Sequence, residues 1–260
     1  MNSFALIGER LGHSYSKIIH ERFFSLSGKD GLPYELIEIP RQNLKSEFNR
    51  ISKEYRGINV TIPYKTEIMQ YLSQVSSEAK RIGAVNTVSF EDDAAVGYNT
   101  DYYGFKHSLD TFGIGIKDKK VTILGTGGAS KAALCVCEDM GASDITFVST
   151  KPKSDFNYRV ISYSDKVQGD VLINCTPVGM YPNTDKSPLD KLDISFEAVV
   201  DMIYNPSVTV LMKKALSNGA KAINGLMMLV SQAVYAQALW NGQEVNGDII
   251  DKIFNELREQ

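Results

Sequence analysis

No run of 18 apolar residues occurs in the 260-residue chain, which argues against a membrane-spanning helix. The segment before Gly8 is too short and too uncharged for a secretory leader, so a cytoplasmic protein is expected. Cysteine is scarce: three residues, an odd number in a long chain, do not build a disulfide framework. Cys135 and Cys137 lie two apart on an expected helix and point to nearly opposite sides, and Cys175 follows an apolar strand. They read as buried free thiols. His13, His20 and His107 are too scattered for a zinc site, and no metal cofactor is expected. A basic surplus is missing too. The net charge of −3 argues against a nucleic-acid partner. There is no internal repeat and no low-complexity segment.

What is present suits a globular enzyme. A hydrophobic fraction of 43% with 10% aromatics fills cores, and 260 residues is near the size at which one core gives way to two. Strand and helix patterns alternate, which predicts an α/β fold. Strands are expected at 4–8, 33–39 and 57–61, and helices around 19–26, 44–51, 67–72 and 77–82. Residues 84–90 and 95–99 flank Glu91-Asp92-Asp93 and read as a hairpin, so the first sheet should be mixed. A helix over 102–112, ended by Gly113-Ile114-Gly115, is the expected linker. Beyond it come a strand at 120–124, a helix at 130–140, and strands at 145–148, 171–174 and 199–203. That is the rhythm of a dinucleotide-binding fold. Helices at 226–240 and 248–257 close the chain.

Two polar segments in apolar surroundings carry the chemistry. Asn59-Val60-Thr61-Ile62-Pro63-Tyr64-Lys65 ends in an amine, and Gly97-Tyr98-Asn99-Thr100-Asp101 ends in an acid. In extended backbone alternate side chains share a face, which would turn Asn59 with Thr61, and Asn99 with Asp101, into one cleft. A Lys and an Asp converging on a hydroxyl-rich ligand form a proton-transfer pair. Taken singly, Lys65 also reads as a solvated surface lysine and Asp101 as the cap of the following helix. Ser14-Tyr15-Ser16 sets two hydroxyls on one side of an extended chain, a seat for a carboxylate, although Ser-x-Ser also caps helices. Gly225, Met228 and Gln232 fall on one helix face, where a glutamine is either a ligand contact or a satisfied core polar group.

A glycine-rich turn, Gly125-Thr126-Gly127-Gly128-Ala129-Ser130, joins a strand to a helix. Gly125 permits a tight turn, Gly127 lets backbone approach a phosphate, and Gly128 or Ala129 allows close helix packing. The alternative is an ordinary strand–helix turn. About 20 residues further, an NAD site places Asp or Glu to hold the ribose 2′-hydroxyl. Here Ser149-Thr150-Lys151 follows the strand, with Lys153 nearby and no acid before Asp155. Hydroxyls and a cation suit a 2′-phosphate; a solvated loop is the other reading. Together these segments suggest a hydroxyl–ketone oxidoreductase.

The ordered set of motifs resembles the shikimate dehydrogenase family over essentially the whole chain. It comprises His13-Ser14-Tyr15-Ser16-Lys17, the segments ending at Lys65 and Asp101, Gly83-Ala84-Val85-Asn86-Thr87, and the glycine turn. Asn174-Cys175-Thr176-Pro177-Val178-Gly179-Met180, Asp201-Met202-Ile203-Tyr204-Asn205-Pro206 and Asn224-Gly225-Leu226 through Gln232 complete it. The resemblance implies two α/β domains: 1–104 plus 236–260 with a mixed sheet for shikimate, and 105–235, Rossmann-type, for NADP. By position, Ser14 and Ser16 would bind the substrate carboxylate, and Thr61, Asn86, Tyr204 and Gln232 would complete the pocket. Lys65 and Asp101 would handle the hydroxyl being oxidised. Gly125, Thr126, Gly127, Gly128 and Ala129 would hold the pyrophosphate and Ser149, Thr150 and Lys151 the 2′-phosphate. Met202, Gly225 and Met228 would lie near the nicotinamide.

The implied activity is the reversible NADP-dependent reduction of 3-dehydroshikimate to shikimate in aromatic amino-acid biosynthesis, by a monomer or homodimer. Two positions depart from the family. Ser149-Thr150-Lys151 stands where its NADP enzymes usually carry Asn-Arg-Thr, and Met227 replaces a frequent glycine. The missing arginine predicts a weaker preference for NADP and leaves NAD as the alternative. Quinate is the alternative substrate, against which Ser16 argues, since relatives accepting quinate often have Thr there. The fold is also reused in non-catalytic sensors of shikimate. Such a module has no reason to keep both Lys65 and Asp101 and usually carries an effector segment, whereas this chain begins directly at its first strand.

Overall fold

Strand β1 (Phe4–Gly8) is buried along its whole length, because strands flank it and helices cover both its faces. The computed structural model describes residues 3–12, 14–91, 94–151, 157–189 and 196–259. His13, Asp92, Asp93, Lys153 and Asp155, named above, lie outside these. After β1 come α1 (Ser16–Leu26), β2 (Tyr34–Glu38), α2 (Leu44–Glu54), β3 (Gly57–Val60) and α3 (Tyr64–Glu67), the last running into a 3-10 turn at Ile68–Tyr71. β4 (Gln74–Val75), α4 (Ser77–Ile82), β5 (Thr87–Glu91), β6 (Ala94–Tyr98) and α5 (Thr100–Thr111) follow. The sheet order is β2-β1-β3-β5-β6-β4. β1 is parallel to β2 and β3, while β5 runs antiparallel to β3 and β6, so the sheet is mixed.

Periodicity explains the packing. Leu44, Phe48 and Ile51 of α2 recur at helical spacing and bury against Ala5, Ile7, Ile58 and Val60 on one face of the sheet. On the other face Phe4 meets Phe24, their ring centroids 5.7 Å apart, and Trp240, at 4.9 Å. The fully buried indole donates to the Val88 carbonyl at 2.9 Å. An ideal Cβ on Gly57 would sit 2.2 Å from the indole nitrogen, so glycine there lets Trp240 lie flat on the strand.

The next elements are β7 (Lys120–Leu124), α6 (Gly128–Asp139), β8 (Asp144–Val148), β9 (Arg159–Ile161) and β10 (Val171–Asn174). β11 (Ala198–Asp201), α7 (Val210–Ser217), β12 (Lys221–Ile223), α8 (Leu226–Asn241) and α9 (Gly247–Arg258) complete the chain. β7 to β12 form a parallel sheet ordered β12-β11-β10-β7-β8-β9. The order reverses between β7 and β10, the switch point at which such sheets bind nucleotides. Leu124, Val148, Leu172 and Val199 pack against Leu211 and Ala215 of α7.

The chain divides into two units, 1–104 with 230–260, and 105–229. Both crossings fall inside helices, α5 and α8, and the return lies ahead of residue 236. Gly113 and Gly115 are no loose hinge: Ile114 and Ile116 between and beside them are buried, and the Ile114 N–H bonds the Leu109 carbonyl at 2.9 Å.

His20 sets one pH dependence of stability. It is fully buried, stacks on Tyr34 with centroids 4.0 Å apart, and lies 2.9 Å from the Gln237 amide. Burial, opposed by a hydrogen bond with Asn59, lowers its pKa from 6.5 to about 3. Below 6.5 the unfolded chain gains a proton that the folded chain refuses, so stability is lost as pH falls from 6.5 toward 3. The slope is about 1.4 kcal/mol per pH unit. Urea titrations between pH 7.5 and 5 are expected to show this slope only below about 6.5, and His20→Gln should remove it. Equal slopes in both proteins would refute the assignment.

Candidate active site

Lys65 stands in the short helix α3 and Asp101 in the first turn of α5, where the helix N-terminus favours a negative charge. The ammonium donates to Asp101 Oδ2 at 2.6 Å, with the side chains 30% and 20% exposed. A ligand can therefore reach both groups. The approach to Lys65 is a turn in which the Thr61 carbonyl accepts the Tyr64 N–H at 2.9 Å. The Lys65 carbonyl accepts the Val85 N–H at 2.7 Å, which sets Asn86 beside the pair.

Buried polar groups hold α5 in place. Asn86 Oδ1 accepts the Thr100 N–H at 2.7 Å, and the Thr87 and Thr100 hydroxyls lie 3.1 Å from it. The two threonine hydroxyls are 3.0 Å apart, and Thr100 reaches Gln232 Oε1 at 3.4 Å. Asn59 donates to the Asn86 carbonyl at 3.3 Å and to Thr87 Oγ1 at 3.0 Å, and accepts from the Tyr34 phenol at 2.7 Å. Ser16 also hydrogen-bonds that phenol, whose pKa burial pushes well up. Lys65, Asn86, Asp101 and Gln232 thus converge, with Ser16 tied to them through Tyr34 and Asn59.

Three expectations of shared strand faces fail. Asn59, 5% exposed, spends its amide on Tyr34, Asn86 and Thr87 and does not pair with Thr61 toward a ligand. Asn99 donates to the Ala84 carbonyl at 2.9 Å, and α5 begins between it and Asp101, so the alternation stops there. Ser14-Tyr15-Ser16 is not extended: Tyr15 has φ −74° and ψ −10°, and α1 begins at Ser16. Ser14 Oγ accepts the Ser16 N–H at 3.2 Å, which leaves the Ser14 hydroxyl hydrogen at a helix N-terminus.

In the second unit, Gly125 follows β7 with φ +91°, a conformation that favours glycine. Its ideal Cβ would lie 3.0 Å from Thr176 Cγ2, which places the loops after β7 and β10 side by side at the switch point. Gly127 caps the twelve-residue helix α6 without a side-chain hydrogen bond. An ideal Cβ on Gly127 or Gly128 meets nothing within 4 Å. The close packing expected of Gly128 or Ala129 is therefore absent, since both are exposed; Ser130, fully buried, packs instead, its hydroxyl donating to the Gly127 carbonyl at 2.7 Å. Open space above free helix N–H groups fits a pyrophosphate. Thr126 is half-buried beside it. After β8, Ser149 Oγ accepts the Lys151 N–H at 3.2 Å, while Thr150 and Lys151 are exposed. Donors and a cation without a carboxylate fit a 2′-phosphate.

The other nucleotide candidates rest on a buried acid. Asp201, fully buried, accepts from Asn174 at 2.9 Å, the Ile203 N–H at 3.1 Å and Thr209 at 2.7 Å. Burial raises its pKa, and the three hydrogen bonds oppose that shift. The Met202 carbonyl oxygen would lie 2.1 Å from an ideal Cβ on Gly225. The two backbones touch there because Gly225 has no side chain. Met202, Tyr204 and Met228 are half-buried around this contact.

Residues 6–88 match the family model described as the shikimate dehydrogenase substrate binding domain. The NADP(+) shikimate dehydrogenase of Clostridium perfringens is 40% identical, with 99% of each chain covered. The chain belongs to the shikimate dehydrogenase family. A chorismate mutase/shikimate 5-dehydrogenase fusion protein from Clostridium acetobutylicum superposes with a TM-score of 0.95 at 43% identity, over 100% of this chain and 98% of that one. The shikimate 5-dehydrogenase of Thermus thermophilus, solved with NADP(H) and shikimate, superposes with a TM-score of 0.89 at 30% identity, over 98% and 99%.

In the sequence of this shikimate dehydrogenase family member, no role is legible for Thr87, Thr100, Asn174 or Asp201. All four lie inside the motifs quoted above. For Thr87, Thr100 and Asp201 the signal was a short polar side chain next to an assigned residue, and what each of the four touches depends on the fold.

Proposed function

We propose that the chain catalyses the reversible, NADP-dependent reduction of 3-dehydroshikimate to shikimate in aromatic amino-acid biosynthesis. The observation that carries the reading is the accessible Lys65–Asp101 pair at 2.6 Å inside the matched family framework. When bound, NADP supplies the hydride in one direction and takes it up in the other. Lys65 Nζ gives the ketone oxygen its proton during reduction, and neutral Nζ accepts the hydroxyl proton during oxidation. Asp101 accepts a hydrogen bond from that hydroxyl and holds the ammonium toward it. The Ser14 and Ser16 hydroxyls at the start of α1 take the carboxylate, and Thr61, Asn86 and Gln232 take the ring hydroxyls. Tyr204 contributes a further hydroxyl toward substrate, and Met202, Gly225 and Met228 an apolar wall for the nicotinamide. The 1–104 and 230–260 unit is read as the substrate domain, and 105–229 as the NADP domain.

Steady-state assays with shikimate and quinate, each with NADP and NAD, test this. The highest kcat/KM is expected for shikimate with NADP. A protein that binds shikimate but turns over neither cofactor, or prefers quinate, would sink the proposal. Lys151→Ala should raise KM for NADP about fivefold and leave KM for NAD unchanged, because a lysine meets phosphate as a point charge. Equal effects on both cofactors would make the loop a solvated turn. The same reading makes this a cytoplasmic enzyme, monomeric or homodimeric, without a nucleic-acid partner; cell fractionation and light scattering test those points.

A further inference from the structure

The loop after β10 has little apolar packing to hold it. Pro177, Val178 and Met180 are exposed, yet the loop stands beside the glycine turn assigned to pyrophosphate, with Thr176 Cγ2 3.0 Å from an ideal Cβ on Gly125. What fixes it is a line of polar groups that starts in the core. Asn174, fully buried at the end of β10, donates through Nδ2 to Asp201 Oδ1 at 2.9 Å. Its Oδ1 accepts the Thr176 N–H at 3.0 Å and the Thr176 hydroxyl at 2.7 Å. The orientation of this amide is forced: a backbone N–H can only donate, so the oxygen faces Thr176 and the nitrogen is left for Asp201. On the far side the Ile203 N–H donates to the same Asp201 oxygen, and the Thr209 hydroxyl to Oδ2 at 2.7 Å. Thr209 in turn caps α7 by accepting the Met212 N–H at 3.2 Å. The Thr176 hydroxyl, its hydrogen given to Asn174, accepts the Val178 N–H at 3.3 Å. Thr209, Asp201, Asn174 and Thr176 thus form one relay from the cap of α7 to Val178.

From this we infer that Asn174 is a positioning residue for the cofactor, which, anchored on Asp201, holds the loop after β10 pre-formed against the glycine turn through Thr176. Asn174 is 0% exposed and offers a ligand no surface, so any effect it has on binding passes through the loop. An unheld loop has to be ordered as the cofactor binds, and that ordering lowers affinity. The glycine turn serves the pyrophosphate, which NADP and NAD share. Loss of the relay therefore weakens both cofactors alike, whereas loss of Lys151 affects NADP alone.

The inference rests on the proposed use of a nicotinamide cofactor, and its test keeps the two apart. Fluorescence titration with NADPH and with NADH reads binding without turnover. A wild-type protein that binds neither overturns the cofactor reading itself, and the variants judge Asn174 only against a wild type that binds. Asn174→Leu keeps the side-chain shape and removes both hydrogen-bonding ends. It is expected to weaken NADPH and NADH alike by about tenfold, with KM for shikimate within about twofold. If it does not fold, Asn174→Ser, too short to span Asp201 and Thr176, takes its place with the same expected loss. Thr176→Val keeps the methyl that faces Gly125 but loses the hydroxyl, and should weaken both cofactors about as much. Thr176→Ser, which keeps the hydroxyl, should hold both within about threefold. Because the two positions act through one loop, the double variant Asn174→Leu/Thr176→Val should bind no worse than the weaker single one. Cofactor affinities within about twofold of wild type in the Asn174 variant would overturn the inference. So would a loss confined to NADPH, a parallel rise of KM for shikimate, or additive losses in the double variant, which would give Thr176 a cofactor contact independent of Asn174.

Discussion

Lys65→Ala is expected to lower kcat by about 10³ while KM for shikimate stays within about threefold. The ammonium does most in the transition state, when the ketone oxygen takes on charge and needs a proton; in the ground state it is one donor among several. The ion pair with Asp101 is partly exposed, so its loss costs little stability, and the thermal midpoint should move by only a few degrees. Asp101→Asn should lower kcat as well and also raise KM, because the carboxylate anchors the amine and, in the proposed reaction, accepts from the substrate hydroxyl. Added primary amines should restore part of the Lys65→Ala rate, since the missing group is a proton donor of that size. Near-full turnover by Lys65→Ala would return the residue to the ranks of solvated lysines.

Gly225→Ala carries the second large effect. The new Cβ would meet the Met202 carbonyl oxygen at 2.1 Å and its carbon at 2.6 Å, and both belong to backbone held by Asp201. Nothing flexible can yield. The end of β11 or the start of α8 must shift, at a cost of about 3 kcal/mol by analogy with overpacked cores. If this contact forms the proposed nicotinamide wall, a displacement of that kind lowers the rate by about 10². Calorimetry and kinetics together check it. Gly127→Ala is the control, since its Cβ meets open space and its φ of −83° suits alanine. It should leave the thermal midpoint unchanged and raise KM for NADP, because the added methyl enters the space assigned to pyrophosphate. A Gly225→Ala protein with wild-type stability and rate would show that the Met202 contact relaxes.

Most elements were legible because their apolar residues run or recur at strand or helix spacing. β1, α4, β7 and β10 have the bounds expected of them; the hairpin at 84–99 pointed to the mixed sheet, and the strand–helix rhythm beyond residue 120 to the Rossmann-type sheet. β4, β9 and β12 were missed, since two or three residues cannot display a period; the eight-residue helix α7 was missed although Leu211, Met212 and Ala215 recur at helical spacing. Around the site, Lys65 and Asp101 were legible as a pair of opposite charges at the ends of polar segments. Asn59 and Asn99 were misassigned because alternation says which face a side chain takes but not which buried partner claims it there. Thr100 and Asp201 went unassigned for a related reason: their roles lie in hydrogen bonds to residues more than a dozen positions away, or across a sheet.

The first unit is assembled from both ends of the chain, with 105–229 inserted between them. A ribosome therefore releases most of the sequence before Trp240 exists to cover Phe4 and Gly57, and before α9 can bury Ile250 and Ile253. The inserted unit holds all its strands by residue 223 and is the first able to complete itself during synthesis. The sheet that emerged earlier has only α1 on that face until the last helices leave the exit tunnel. Premature termination soon after residue 229 thus yields a finished nucleotide fold tethered to a sheet half covered on one face, a ready substrate for chaperones and proteases.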